Sequence, residues 1–148
     1  MHVPILKQGD YLIATIQSVL SDTDLLQLRD DLAHRVGQFR SRGIIIDVTV
    51  LDVIDSFATR TLRAIALMLK LRGAETIIVG IQPDIAFAMV QLGLTLEGVG
   101  TALDLEEGLE FLNARNKRRA SVWRAAEPRS TPKASFDMPG RRGKGRRK

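Results

Sequence analysis

The chain has 148 residues, enough for one domain with a real core, and no cysteine, which excludes disulfides and thiolate metal sites. Its formal charge of +5 is unevenly spread: residues 1–112 hold 9 Lys and Arg against 15 Asp and Glu, a net −6, whereas residues 113–148 hold 13 against 2, a net +11. No basic segment followed by a long apolar run opens the chain, and no apolar stretch approaches the ~20 residues that span a bilayer, so a cytoplasmic protein without a secretory signal is expected.

In chain order the elements alternate. Ile5-Leu6 and Tyr11–Val19 read as two strands joined at the turn pair Gly9-Asp10. Ser21-Asp22-Thr23-Asp24 supplies helix caps, after which Leu25, Leu28, Leu32, Val36 and Phe39 recur at helical spacing. Gly43 is expected to stop that helix. Ile44-Ile45-Ile46 is a short β-branched run of the kind found in strands covered on both faces. Ser56 opens a second helix to about Arg72, with Leu62, Ile65, Ala66 and Leu69 inward and Gly73 at its end. Thr76–Val79 is another buried strand, closed by Gly80. Pro83 starts a third helix over Asp84–Leu92, a weak strand is expected at Leu96–Val99, and Asp104 caps a last helix through about Leu112.

This alternation implies an α/β domain: a mixed sheet, with a parallel core plus an N-terminal hairpin, covered by about four helices. The domain is expected to occupy residues 1–113. Residues 114–148 contain Pro128, Pro132 and Pro139 and end in Arg141-Arg142-Gly143-Lys144-Gly145-Arg146-Arg147-Lys148. They carry no sustained apolar periodicity and read as a disordered basic tail.

In open α/β sheets functional groups gather beyond the carboxyl ends of the strands. The loop Asp47–Asp55 leaves such an end, carries Asp47, Asp52 and Asp55, and runs into Ser56 and Phe57. Ser56 is expected to cap the helix, its hydroxyl accepting a backbone N–H two or three residues on. It either serves only as a cap or also carries a phosphoryl group. Such a group would face the positive end of the helix dipole and add charge beside two aspartates.

The order of elements, the loop Ile46-Asp47-Val48-Thr49 and the segments Val53-Ile54-Asp55-Ser56-Phe57 and Gly80-Ile81-Gln82-Pro83 resemble the STAS domain of anti-sigma-factor antagonists. Pro4-Ile5-Leu6-Lys7, Met68-Leu69-Lys70-Leu71-Arg72-Gly73-Ala74 and Thr101-Ala102-Leu103-Asp104-Leu105-Glu106 are similar to the stressosome antagonists of the RsbS type. The resemblance covers roughly residues 3–112; the basic tail has no counterpart in it. It implies that Ser56 is phosphorylated by an RsbT-like serine kinase and dephosphorylated by a PP2C-type phosphatase. It implies that the unphosphorylated chain self-associates and, with larger RsbR-like STAS co-antagonists, holds the kinase until phosphorylation releases it. The chain would then be no enzyme and need no cofactor. Asp47, Thr49, Asp52, Asp55 and Phe57 would form the partner interface around Ser56.

Other candidates have simpler readings. Asp47, Asp52 and Asp55 offer hard oxygens to Mg²⁺ but no dedicated ligand spacing. Gly80–Pro83 before a helix could receive a phosphate, yet no Gly-rich fingerprint or P-loop lysine accompanies it. Leu25, Leu28 and Leu32 are a core stripe by default rather than a partner groove. His2 and His34 lie in no ligand pattern, and His34 is expected to be solvated. The competing function class is nonspecific nucleic-acid contact through the tail, where Arg141–Lys148 would bind phosphates by counterion release and Trp123 and Phe136 could stack.

Overall fold

A computed structural model describes residues 2–126. Its first two strands, β1 (Ile5–Gln8) and β2 (Tyr11–Thr15), form an antiparallel hairpin that turns at Gly9, whose φ is +60. The second strand is shorter than expected, because residues 16–19 leave the ladder after Ile16 N donates to Asp47 O at 2.9 Å.

The helix α1 (Asp22–Phe39) begins with a reciprocal cap: Ser21 Oγ accepts from Asp24 N, and Asp24 Oδ2 accepts from Ser21 N, both at 3.1 Å. Leu25, Leu28, Leu32 and Val36 are buried as their spacing requires. Phe39 lies at the margin instead, with the Lys7 ammonium 5.7 Å from its ring centroid. The helix ends at Arg40, which takes the left-handed conformation (φ 52, ψ 42), so Gly43 is not the stop signal. Gly43 opens β3 (Gly43–Asp47) and serves packing: a Cβ there would lie 2.8 Å from a Leu112 methyl and 3.0 Å from the Tyr11 ring.

The remaining elements are α2 (Ser56–Leu71), β4 (Glu75–Val79), α3 (Pro83–Gln91), β5 (Gly100–Ala102) and α4 (Leu105–Ala126). The sheet order is β1-β2-β3-β4-β5, parallel from β2 onward. The expected mixed sheet with an N-terminal hairpin and four helices is therefore present. The strand expected at Leu96–Val99 is a turn, closed by Val99 N donating to Leu96 O at 3.0 Å, with Gly98 at φ +76; the strand follows it.

Side chains alternate across the sheet, as strand geometry demands. Leu12, Ala14, Ile44, Ile46 and Ile78 join the core shared with α1, α2 and α3. Tyr11, Ile13, Ile45, Ile77 and Val79 face the other way and meet Leu105, Leu109 and Leu112 of α4. Gly108 permits that approach, since a Cβ on it would sit 2.8 Å from Val79.

The last helix does not stop at Leu112. Tyr11 Oη donates to Asn113 Oδ1 at 2.6 Å, Asn116 Nδ2 donates to Tyr11 Oη at 3.3 Å, and Arg115 pairs with Glu75 at 3.3 Å. Burial pushes the Tyr11 phenol above its usual range, with the Asn116 bond opposing. These polar ties hold a turn that apolar periodicity does not register. Residues 114–126, expected within the tail, are helical, whereas the remainder, 127–148, lies outside the described residues. The chain divides into two units, residues 1–117 and 118–148.

Burial separates two leucines of similar chemistry. Leu112→Ala should lower unfolding free energy by about 2–5 kcal/mol in a urea titration, because Leu112 is fully buried. Leu71→Ala should stay within about 0.5 kcal/mol of the parent, since Leu71 is 91% exposed.

Candidate functional site

The parallel register brings Thr15, Asp47, Val79 and Ala102 level at one end of the sheet. Backbone bonds continue beyond the strands: Val48 N donates to Val79 O at 3.0 Å, and Gly80 N donates to Ala102 O at 3.2 Å. Asp47 and Thr49 therefore leave β3 beside Gly80, and the approach is close. Gly80 has φ +80, and a Cβ on it would collide with Thr49. Glycine is needed there on both counts.

Three hydrogen bonds fix the start of the loop. Asp47 Oδ1 accepts from Thr49 N at 2.9 Å and from Thr49 Oγ1 at 2.5 Å, and Gln82 Nε2 donates to Thr49 O at 2.8 Å. Further on, Leu51 N donates to Val48 O, and both side chains are buried. With those two side chains inward, Val50, Asp52 and Val53 face solvent; Val50 is 61% and Val53 59% exposed.

Ser56 is not the cap of α2. Asp55 holds that position, and its Oδ1 accepts from Ala58 N at 2.7 Å. Thr59, buried beneath, donates its hydroxyl to Asp55 O at 3.0 Å. Both Asp and Ser are good caps, and adjacent candidates leave the sequence ambiguous by one residue. Ser56 becomes the first helical residue, half-buried, and its hydroxyl makes no hydrogen bond among the described residues.

The six residues singled out by sequence fall into two groups. Asp47 and Thr49 lock each other at the end of β3, while Asp55, Ser56 and Phe57 stand together at the start of α2; Asp52 is exposed on the loop between. Sequence reasoning missed the exposed loop valines Val50 and Val53, and Val19, which shares a shallow depression with Val53, Asp55 and Ala58. Its signal was present: isolated valines in polar loops. Reasoning also passed over Arg60, one turn after Ser56, which is exposed and has no hydrogen bond or ion pair among the described residues. Arg63, another turn on, donates to Thr95 O at 3.3 Å.

Among the described residues no group of three or more His, Asp or Glu side chains is placed to hold a metal ion. The turn at Gly80–Pro83 is a strand-to-helix connection with Pro83 at the first helical position and the Gln82 amide committed to Thr49. Leu25, Leu28 and Leu32 are core, and His34 is exposed. Among the described residues no helix is long and apolar enough to cross a membrane.

The STAS domain family model matches residues 2–108. RsbS of Moorella thermoacetica, solved as a serine-to-glutamate variant, is 35% identical, with a TM-score of 0.68 over 78% of this chain and 97% of its own. A chain from the stressosome, described as a signal integration and transduction hub, is 34% identical, with a TM-score of 0.64 over 76% of this chain and 98% of its own. The RsbT co-antagonist protein RsbRA of Bacillus subtilis is 30% identical over 84 residues, 57% of this chain and 31% of RsbRA. The chain thus spans about a third of the length of the curated relatives it matches.

The reassigned cap separates two neighbouring substitutions. Asp55→Ala removes the acceptor for Ala58 N and should destabilise the fold by about 0.5–2 kcal/mol. Ser56→Ala removes no hydrogen bond and should remain within about 0.5 kcal/mol. Urea midpoints of the two variants check the order.

Proposed function

We propose, for a chain that belongs to the STAS domain family, that it is a non-enzymatic, phosphorylation-switched antagonist and scaffold of a bacterial stress-signalling assembly. The observation that carries this reading is Ser56 itself. Its hydroxyl, which makes no hydrogen bond among the described residues, stands at the first turn of α2 next to the exposed Phe57, after a loop that leaves the carboxyl end of β3 with Val50 and Val53 exposed. The similarity to RsbS covers nearly that whole protein, and RsbRA is named for antagonism of RsbT.

In this reading the unmodified edge binds an RsbT-like serine kinase through the exposed Val50, Val53 and Phe57 together with a neutral Ser56. The kinase supplies the ATP, the Mg²⁺ and the catalytic groups. A phosphoryl group on Ser56 adds about −1.5 to −2 charges beside the exposed carboxylates Asp52 and Asp55. Burying that group without a partner costs several kcal/mol, enough to reduce binding by orders of magnitude. The kinase leaves, and a PP2C-type phosphatase resets the serine.

Arg60 completes the switch. It sits four residues after Ser56 on α2 and lacks a partner among the described residues. Side chains four apart on a helix are neighbours, and an anion N-terminal to a cation is the favourable order. Arg60 therefore draws the phosphate back along the helix once the kinase has gone. Co-assembly with larger RsbR-like relatives and with further copies uses other apolar surface, such as the exposed Leu67, Leu71, Phe87 and Val90.

Incubation with an RsbT-like kinase and ATP, followed by mass spectrometry, should place the phosphate on Ser56. Phosphate on Thr49 or Thr59 with Ser56 unmodified would sink the assignment. In pull-down or calorimetric titration Ser56→Ala should retain kinase binding, and Ser56→Asp should weaken it at least about tenfold, or 1.4 kcal/mol. Equal binding by the two variants would contradict the charge mechanism.

A further inference from the structure

Charge is segregated along the domain itself. All nine Lys and Arg of residues 1–112 precede Gly73, whereas residues 73–112 hold seven carboxylates and no cation. The division falls just after α2, which carries Arg60, Arg63 and Lys70 with no Asp or Glu. Beyond it, α3 carries Asp84, the loop after α3 carries Glu97, and the first turns of α4 carry Glu106, Glu107 and Glu110.

Both regions also expose apolar side chains. On α2, positions three and four apart share a face, so Arg60, Ala64, Leu67 and Leu71 form one stripe; all four are exposed, as is Lys70 beside them. On α3 only Ile85 and Met89 are buried, which leaves Ala86, Phe87, Ala88 and Val90 outward. Val90 and Leu103, 77% and 76% exposed, border an open groove of about 440 Å³ that Met89, Leu94 and Leu96 also line. Glu107 is the charged residue of that lining; Glu97 follows Leu96 in sequence, and Glu110 lies one turn beyond Glu107. A small molecule seated in the groove would leave the exposed Phe87 and Leu92 in water, since neither lines it. Apolar surface of that extent marks a protein partner.

We infer that the Leu67–Leu71 face of α2 in one copy docks on the groove beside Val90 and Leu103 in a second copy. Lys70 meets the carboxylate rim, and the two leucines meet the apolar lining. The inference rests on the self-association proposed above and gives it a surface. A second copy is the fitting occupant because each chain carries both members of a complementary pair, a cationic apolar stripe and an anionic apolar groove. Either surface against its own kind would set like charges together, which is unfavourable. Leu67 follows Ser56 by eleven residues, about 16 Å along the helix. Docking at this face therefore leaves the start of α2 open.

Sedimentation velocity of the full chain over a range of concentrations gives the dissociation constant of self-association. Raising salt from about 0.01 to 0.15 M shortens the screening length from about 30 to 8 Å and should weaken it. Lys70→Glu should raise the constant at least about tenfold, and so should Glu97→Lys combined with Glu110→Lys, because each sets like charges against one another. Leu71→Ser and Val90→Ser should each weaken association by about the same factor through lost apolar contact. All five positions are exposed, so urea midpoints taken at low protein concentration should not move. Mixing the Lys70→Glu chain with the Glu97→Lys, Glu110→Lys chain should restore association: the reversed stripe meets the reversed groove, and the unaltered pair meets as before. A parent chain that stays monomeric at every concentration would overturn both this interface and the self-association it rests on. An assembled chain indifferent to these variants would overturn the interface alone. So would sensitivity to the groove variants without sensitivity to those on α2, or a mixture that does not reassociate.

Discussion

Ile44, Ile45 and Ile46 have no exposed surface at all, and the rest of the domain depends on that fact. A strand buried on both faces needs a parallel neighbour on each side and helices above and below. Here β2 and β4 flank it, Ile44 and Ile46 meet the core of α1, α2 and α3, and Ile45 meets α4. Because the three strands run parallel, their carboxyl ends coincide, and the loops after Asp47 and Val79 must share one edge. The position of Ser56 follows from the burial of three isoleucines about ten residues earlier.

Much of this was legible in the sequence, for physical reasons that can be named. Apolar periodicity identifies helices by their buried stripe, so Leu25, Leu28, Leu32, Val36 and Leu62, Ile65, Ala66, Leu69 were placed correctly. The β-branched runs identified strands for the same reason. The errors fall where a decision rests on single polar contacts or on backbone conformation. Asp55 and Ser56 are both good caps, and nothing in their order says which oxygen will reach Ala58 N. Arg40, not Gly43, adopted the left-handed turn, because Gly43 was required by Leu112 and Tyr11 some distance away in sequence. The apolar residues Leu94, Leu96 and Val99 pack against the core from a loop, which mimics a strand when only hydrophobicity is read.

The last helix shows the same limit at larger scale. Its apolar signal ends at Leu112, but Asn113, Arg115 and Asn116 extend the attachment by hydrogen bonds and an ion pair to Tyr11 and Glu75. A boundary drawn after Asn113 would cut through those contacts. The charge change from net −6 to net +11 occurs at almost the same place, and composition carries no sign of these polar contacts.

The identity of the cap has a further consequence. When one residue both terminates a helix and receives a modification, every modification also perturbs the helix, and part of its free energy is absorbed locally. Under the proposed reading the two tasks would fall on neighbouring residues: Asp55 satisfies Ala58 N, and the Ser56 hydroxyl makes no hydrogen bond among the described residues. Chemistry at Ser56 would thereby leave the cap of α2 untouched. A phosphoryl group there, as proposed, would leave the capping bond in place, so the helix start would keep its cap through repeated cycles of modification.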